Sequence, residues 1–140
     1  MNKKVVLVGG CFDLLHFGHI SFLKHAKAHG DYLVVLLESD EKVRKLKGDS
    51  RPIHNENQRK EMLESLLFVD EVILMPNVTT DSDYVKLIED VKPNVIAVTQ
   101  GDPMVEKKRQ QASRFGATLI EIPKIHTPST SQLAKLLGLE

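Results

Sequence analysis

Cysteine is nearly absent from this 140-residue chain, which carries Cys11 alone. A single thiol rules out an intrachain disulfide and a cysteine-rich zinc site, and a reducing compartment is expected. Net charge is absent too, because 19 Lys and Arg balance 19 Asp and Glu. Bulk electrostatics therefore gives no ground for a nucleic-acid partner or a membrane surface. Long apolar runs are missing as well. The opening MNKK passes straight into Val5 with no signal-peptide apolar region, and no stretch approaches the roughly 20 residues of a membrane span. A cytoplasmic protein is expected. Internal repeats and low-complexity segments are likewise lacking.

What the chain does have is apolar material, 41% of its residues, enough for one compact domain over 1–140 with a real core. Strands are expected at 4–8, 32–37 and 95–98, where Val5 to Val8 and the runs at 32–37 and 95–98 are continuously apolar rather than alternating, the pattern of strands buried on both faces. Further strands are expected at 71–75 and 118–122. Between them the spacing predicts helices over 20–29, 41–47, 55–67, 81–91 and 106–115. Gly30 and Gly116 read as helix stops. Ser39 and Asp40, and then Thr79, Thr80 and Asp81, suit N-caps. The third helix places Met62, Leu63, Leu66 and Leu67 on one face and Arg59 on the side away from it; the fourth carries Tyr84, Leu87 and Val91 inward. Strands alternating with helices imply an α/β domain with one parallel sheet covered on both faces.

The stretch GGCFDLLHFGH at 9–19 joins the first strand to the first helix. A helix beginning near His19 presents unpaired N–H groups and the positive end of its dipole, which favour an anion. Gly9 and Gly10 let the backbone approach that anion. Gly18 leaves room for a ligand between His16 and His19, whose rings can both turn toward one phosphate. One histidine in such a turn usually caps or packs. Two of them around a glycine, after a glycine pair, point to chemistry. Cys11 reads as a small buried hydrophobe rather than a nucleophile. A dinucleotide site competes for this stretch, since Glu38, Ser39 and Asp40 follow the second strand. The glycines do not follow GxGxxG, however, and a nicotinamide enzyme has no use for histidines on both sides of Gly18.

GGCFDLLHFGH resembles the signature of the HxGH nucleotidyltransferases, the cytidylyltransferase-like family that includes glycerol-3-phosphate cytidylyltransferase, heptose-1-phosphate adenylyltransferase and archaeal-type FAD synthase. The matching parts are the turn at Cys11, Phe12 and Asp13 and the HFGH at 16–19. LKGDSRP at 46–52 with NQRKEML at 57–63 is similar to the family's second region, and PSTSQL at 128–133 to its terminal one. The resemblance implies a Rossmann-like three-layer sandwich with a five-stranded parallel sheet of order 3-2-1-4-5. It also implies transfer of a nucleoside monophosphate from a nucleoside triphosphate to a phosphorylated small molecule, with release of pyrophosphate and no covalent enzyme intermediate.

The roles follow from the same likeness. His16 and His19 donate to the α-phosphate or its bridging oxygen, while Lys47 and Arg59, with Lys45, spread its charge. Gly9, Gly10, Cys11, Phe12, Asp13 and Gly18 hold the nucleotide from the first turn, and Gly101 and Asp102 hold it from the turn after the fourth strand. Ser129, Thr130 and Ser131 grip the leaving pyrophosphate. Arg51 and Asp40 are substrate-binding candidates. Mg²⁺ bridges the phosphates with water filling most of its coordination, and no protein-only metal cage is expected. KLKGDSRP looks like the heptose-phosphate adenylyltransferases and QRKEM recurs in the FAD synthases, which favours ATP. CTP with a polyol or amino-alcohol phosphate stays open, because the cytidylyltransferases share HFGH and the terminal motif. Several of those carry an Arg where this chain has Lys124, Ile125, His126 and Thr127, and that departure weighs against CTP. A non-catalytic nucleotide-binding module is the alternative of another class. A homodimer is implied by the family, and His25, His29, His54 and His126 have no assigned role.

Overall fold

The computed structural model describes residues 3–77, 80–125 and 130–138, with the side chain of Thr130 outside that description. Five strands, β1 (Val5–Gly10), β2 (Tyr32–Leu37), β3 (Glu71–Leu74), β4 (Val95–Thr99) and β5 (Thr118–Ile122), form one parallel sheet of order β3-β2-β1-β4-β5. Among the described residues six helices accompany them: α1 (Phe17–Lys27), α2 (Asp40–Lys47), α3 (Glu56–Glu64), α4 (Asp81–Val91), α5 (Val105–Arg114) and α6 (Thr130–Leu136). The strand order is the one expected.

Alternate residues of β1 and β2 feed two separate cores. Val6, Val8, Leu33, Val35 and Leu37 pack on one face with Leu23 and Ala26 of α1 and Leu63 of α3. Leu7, Val34 and Leu36 pack on the other with Ile88 of α4 and Ala112 of α5. Both faces being covered by helices is why these strands read as unbroken apolar runs. β1 lies at the centre and changes strand neighbour from β2 to β4, so its carboxyl end opens at the point where the order reverses.

Several boundaries move for physical reasons. α1 starts at Phe17 because His16, not a residue near His19, is its N-cap. It ends at Lys27 with Ala28 as C-cap, so Gly30 is not the stop. Gly30 is required by a close approach instead: a Cβ there would sit 2.6 Å from the Lys4 carbonyl oxygen and 2.7 Å from Val6 Cγ2. α3 halts at Glu64, with the Ser65 amide and hydroxyl both donating to the Glu61 carbonyl. Beyond that point helical spacing no longer applies. Leu67 is therefore fully exposed, and Met62, within the helix but on the side away from buried Leu63, is partly exposed, against the expectation that both face the core, while Leu66 packs on the cluster of Leu63. Ser39 rather than Asp40 caps α2, its hydroxyl accepting from the Lys42 amide. Thr80 caps α4 in a reciprocal box with Asp83, and α4 ends at Val91 with Lys92 as a left-handed C-cap before Pro93.

Candidate active site

The chain leaves β1 through Gly10 into a turn that ordinary side chains resist. Phe12 and Leu14 both have positive φ, 47° and 55°, a conformation costing roughly 1–2 kcal/mol for each L-residue. Two features hold the turn. The Phe12 ring is buried in the first core and folds back over Gly10, where a Cβ would approach it to 2.9 Å. Asp13, between the two strained residues, is buried, and its carboxylate is saturated. Oδ2 accepts from Arg51 Nε and the Ile53 amide, each at 2.7 Å, and Oδ1 from the His54 amide at 3.0 Å. Burial alone would raise this carboxyl, but the two amides and the guanidinium outweigh it and hold it below the ordinary carboxylate range.

That turn delivers the two histidines. His16 Nδ1 accepts from the Gly18 amide at 3.0 Å, and His19 Nδ1 accepts from the His16 amide at 3.3 Å, a capping box built from two imidazoles. A ring nitrogen that accepts carries no proton, so each neutral ring keeps its proton on Nε2. The rings lie 4.0 Å apart between centroids, tilted by 31°, and His19 makes an edge contact with Phe12. Burial lowers the pKa of His16. Burial, then His16 and Lys47, push His19 down to about 4. Near pH 7 both are neutral Nε2–H donors.

Both rings line a cavity of about 470 Å³ at the carboxyl ends of β1 and β4. Gly9, Gly10, Cys11, Phe12, Asp13, Gly18, Lys47, Arg51, Asp102 and Ser131 line it with them. The cavity thus gathers residues from all three of the separated motifs. Lys47, the last residue of α2, is exposed, and its charge acts on both His19 and Cys11. Burial, helped by Glu38, raises the Cys11 thiol despite the cations nearby, so it stays protonated at neutral pH. Asp102 closes the turn after β4, accepting from the Met104 amide at 2.8 Å and from Lys108 Nζ at 2.7 Å.

Other expected site residues stand elsewhere. Arg59 is 1% exposed rather than a surface residue, and four hydrogen bonds occupy its guanidinium. Nε donates to the His54 carbonyl at 3.0 Å. Nη1 donates to the Cys11 and Glu38 carbonyls at 2.8 and 2.9 Å, and Nη2 to Asp40 Oδ1 at 2.8 Å. Arg59 is a clamp beneath the cavity, tying the ends of β1 and β2 to α2 and the entry of α3. Asp40 is its counter-ion rather than a wall of the cavity. Lys45 points to solvent, 3.7 Å from Glu41, and Gly101 lies in the exposed turn beside Asp102. Arg51 lines the cavity, yet it is 2% exposed and ion-paired with Asp13. Ser129 lies outside the described residues, as does the Thr130 side chain. Lys108, Thr99, Pro123, Lys124 and Ile125 also line the cavity, and the motifs of the sequence give none of them a site role. The location of ligands beyond the carboxyl ends of strands, applied to β4 and β5, points to them.

A parallel sheet of order 3-2-1-4-5 whose first turn sets two locked histidines in a cavity at the switch point is a nucleotidyltransferase-type fold. The chain belongs to the cytidylyltransferase-like family, whose model matches residues 7–124. The bifunctional protein HldE of Campylobacter jejuni subsp. jejuni is 46% identical to it over 95 residues, 68% of this chain and 20% of that one. Its counterpart in Koribacter versatilis is 38% identical over 134 residues, 94% of this chain and 26% of that one. This chain therefore spans about a fifth to a quarter of the length of those curated relatives. Among solved structures, a lipopolysaccharide core biosynthesis protein of Thermoplasma volcanium superposes with a TM-score of 0.75 at 31% identity, covering 89% of this chain and all of that one. A pantoate-beta-alanine ligase of Francisella tularensis shares the fold alone, with a TM-score of 0.66 at 20% identity over 95% of this chain and 65% of that one. The chemistry of this family, nucleotidyl transfer, is the class that the sequence implied.

Proposed function

We propose that this chain transfers AMP from ATP to a phosphorylated sugar, releasing pyrophosphate. The observation that carries the reading is the histidine pair, with both Nδ1 atoms tied to the backbone and both Nε2–H groups left as neutral donors in one cavity. A phosphate oxygen of the acceptor forms the new bond to the α-phosphorus in line as the bond to the β-phosphate oxygen breaks. Donors already aimed at the α-phosphate need no reorganisation as charge develops there. Lys47 adds an exposed positive charge to the cavity lining, and Ser131 meets the departing pyrophosphate.

Magnesium fits this reading as a passenger of the nucleotide. The described residues hold no group of three or more His, Cys, Asp or Glu able to bind a metal, and Asp13 and Asp102 already accept from amides and cations. When bound, Mg²⁺ would neutralise phosphate charge and order the triphosphate. The choice of ATP rests on the likeness of KLKGDSRP to adenylyltransferases. The choice of a sugar phosphate rests on that likeness and on the 31% identity to a lipopolysaccharide core biosynthesis protein. Assembly as a homodimer in the cytoplasm belongs to the same reading and is checked by sedimentation. No helix among the described residues is long and apolar enough to cross a membrane.

The test is pyrophosphate release with ATP, CTP, GTP or UTP and Mg²⁺ against aldose 1-phosphates, glycerol 3-phosphate and FMN. Turnover with ATP and an aldose 1-phosphate is expected. Turnover with CTP and glycerol 3-phosphate alone would replace the reading. Binding without turnover in every pair would leave a nucleotide-binding module.

A further inference from the structure

We infer that Arg51 is a positioning residue, half of a buried strut from Asp13 to Ser131 that sets the distance between the histidine turn and α6, and not a substrate ligand. The inference rests on the proposed nucleotidyl transfer for its consequence but not for its geometry. The Arg51 side chain is 1% exposed, and Nε donates at 2.7 Å to an equally buried Asp13 carboxylate. Its charge is therefore compensated within the protein, and an anion arriving in the cavity meets an ion pair rather than a free cation. From the same fork, Nη1 donates to Ser131 Oγ at 3.3 Å, 80 residues further along the chain.

Each end of the strut needs it. At one end Asp13 lies between two residues with positive φ, so the turn that aims His16 and His19 depends on the groups saturating that carboxylate. At the other end α6 has only seven residues, too few to be stable by itself. Ala134 is its one fully buried hydrophobic side chain among the described residues, and Leu136 stands in solvent. Apolar packing thus gives α6 little hold, and a hydrogen bond from a buried guanidinium fixes its first turn. Ser131 and the histidines face the same cavity. In-line transfer needs the groups that hold the α-phosphate and those that receive the leaving pyrophosphate kept in one alignment, which is what a rigid fork between the two ends provides. Lysine has one nitrogen in place of the fork and cannot bond both partners in this geometry.

The test is amide hydrogen exchange on the ligand-free protein for wild type, Arg51→Lys and Ser131→Ala, with kinetics of both variants and the double variant. Ser131→Ala leaves the Asp13 pair untouched, so it reads the strut even where Arg51→Lys folds poorly. Exchange in 131–138 should accelerate roughly 5- to 10-fold in both single variants, the scale of losing one intramolecular hydrogen bond. β2 should be unaffected in Ser131→Ala. Arg51→Lys should lower kcat roughly 10- to 100-fold with little change in the KM for ATP, as misplacement does. The double variant should be no worse than the worse single one, because both break the same link. Unchanged exchange in 131–138, a raised KM at unchanged kcat, or losses that multiply would each overturn the strut. Absence of wild-type turnover with every nucleotide and acceptor would instead remove the proposed function, and the exchange result would still decide the strut.

Discussion

Replacing Arg59 with alanine separates a clamp from a phosphate ligand. The substitution strips donors from the Cys11, Glu38 and His54 carbonyls and leaves the Asp40 carboxylate without its cation. Removing one partner of a buried pair costs about 3–5 kcal/mol. The Asp40 side chain is 23% exposed, so water restores part of that loss and about 3 kcal/mol is expected. For a chain of this length that lowers Tm by about 10 °C, and it leaves a folded majority at 25 °C because a domain holds about 5–15 kcal/mol. Arg59→Lys should recover little, since one ammonium cannot reach two carbonyls, a third behind them and a carboxylate. Urea unfolding followed by circular dichroism, with a thermal scan beside it, measures both variants. An unchanged urea midpoint and Tm together with a tenfold rise in the KM for ATP would show Arg59 free to meet the nucleotide, and the clamp would be wrong.

His19→Ala should leave the fold intact and lower turnover by roughly 100-fold or more, the scale of losing one transition-state donor; unchanged turnover in a pyrophosphate-release assay would remove its role. Stability should fall as pH drops from about 6.5 toward 4, because with His19 depressed to about 4 the unfolded chain binds more protons across that window. Urea midpoints at successive pH values should show a shallower fall in His19→Gln, and an identical slope would refute the assignment. Gly10→Ala forces a Cβ to 2.9 Å from a Phe12 ring that the core holds in place, and a cost of about 1–3 kcal/mol is expected. Leu67→Ala, at a fully exposed side chain, should change the unfolding free energy of the monomer by less than about 0.5 kcal/mol.

The fold was legible because its signals are local. Continuous apolar runs at β1, β2 and β4 report burial on both faces, and the helix spacing between them reports parallel crossovers. Boundaries were less so where a side chain acts out of type. Histidine is not a usual N-cap, so the spacing puts the start of α1 three residues late. Ser65 turned its hydroxyl back on Glu61, and nothing in the spacing of Leu63, Leu66 and Leu67 betrays that the helix has already ended. Gly30 carried a correct sign for the wrong reason, since its missing Cβ serves the contact with Lys4 and Val6 rather than a left-handed cap.

The site divides along the same line. Residues whose function depends on the first turn, from Gly9 to His19, lie within one motif and reach the cavity together. The cations of the second region divide, Lys47 and Arg51 lining the cavity and Lys45 and Arg59 not, because a positive charge in sequence says nothing about whether a carboxylate awaits it. Lys47 meets the cavity, Lys45 meets Glu41, and Arg51 and Arg59 meet Asp13 and Asp40 across 38 and 19 residues. Those pairings are long-range and buried, where desolvation makes an unpaired guanidinium untenable. An arginine placed under a phosphate site therefore has two outcomes that a linear pattern cannot distinguish. It either faces the ligand with water at its back, or it is sealed beneath the site and holds the backbone that does face it. Here exposed Lys47 takes the first part and the buried Arg51 and Arg59 the second, which suits their chemistry: a planar fork fixes several acceptors at once, while a flexible ammonium follows a moving charge.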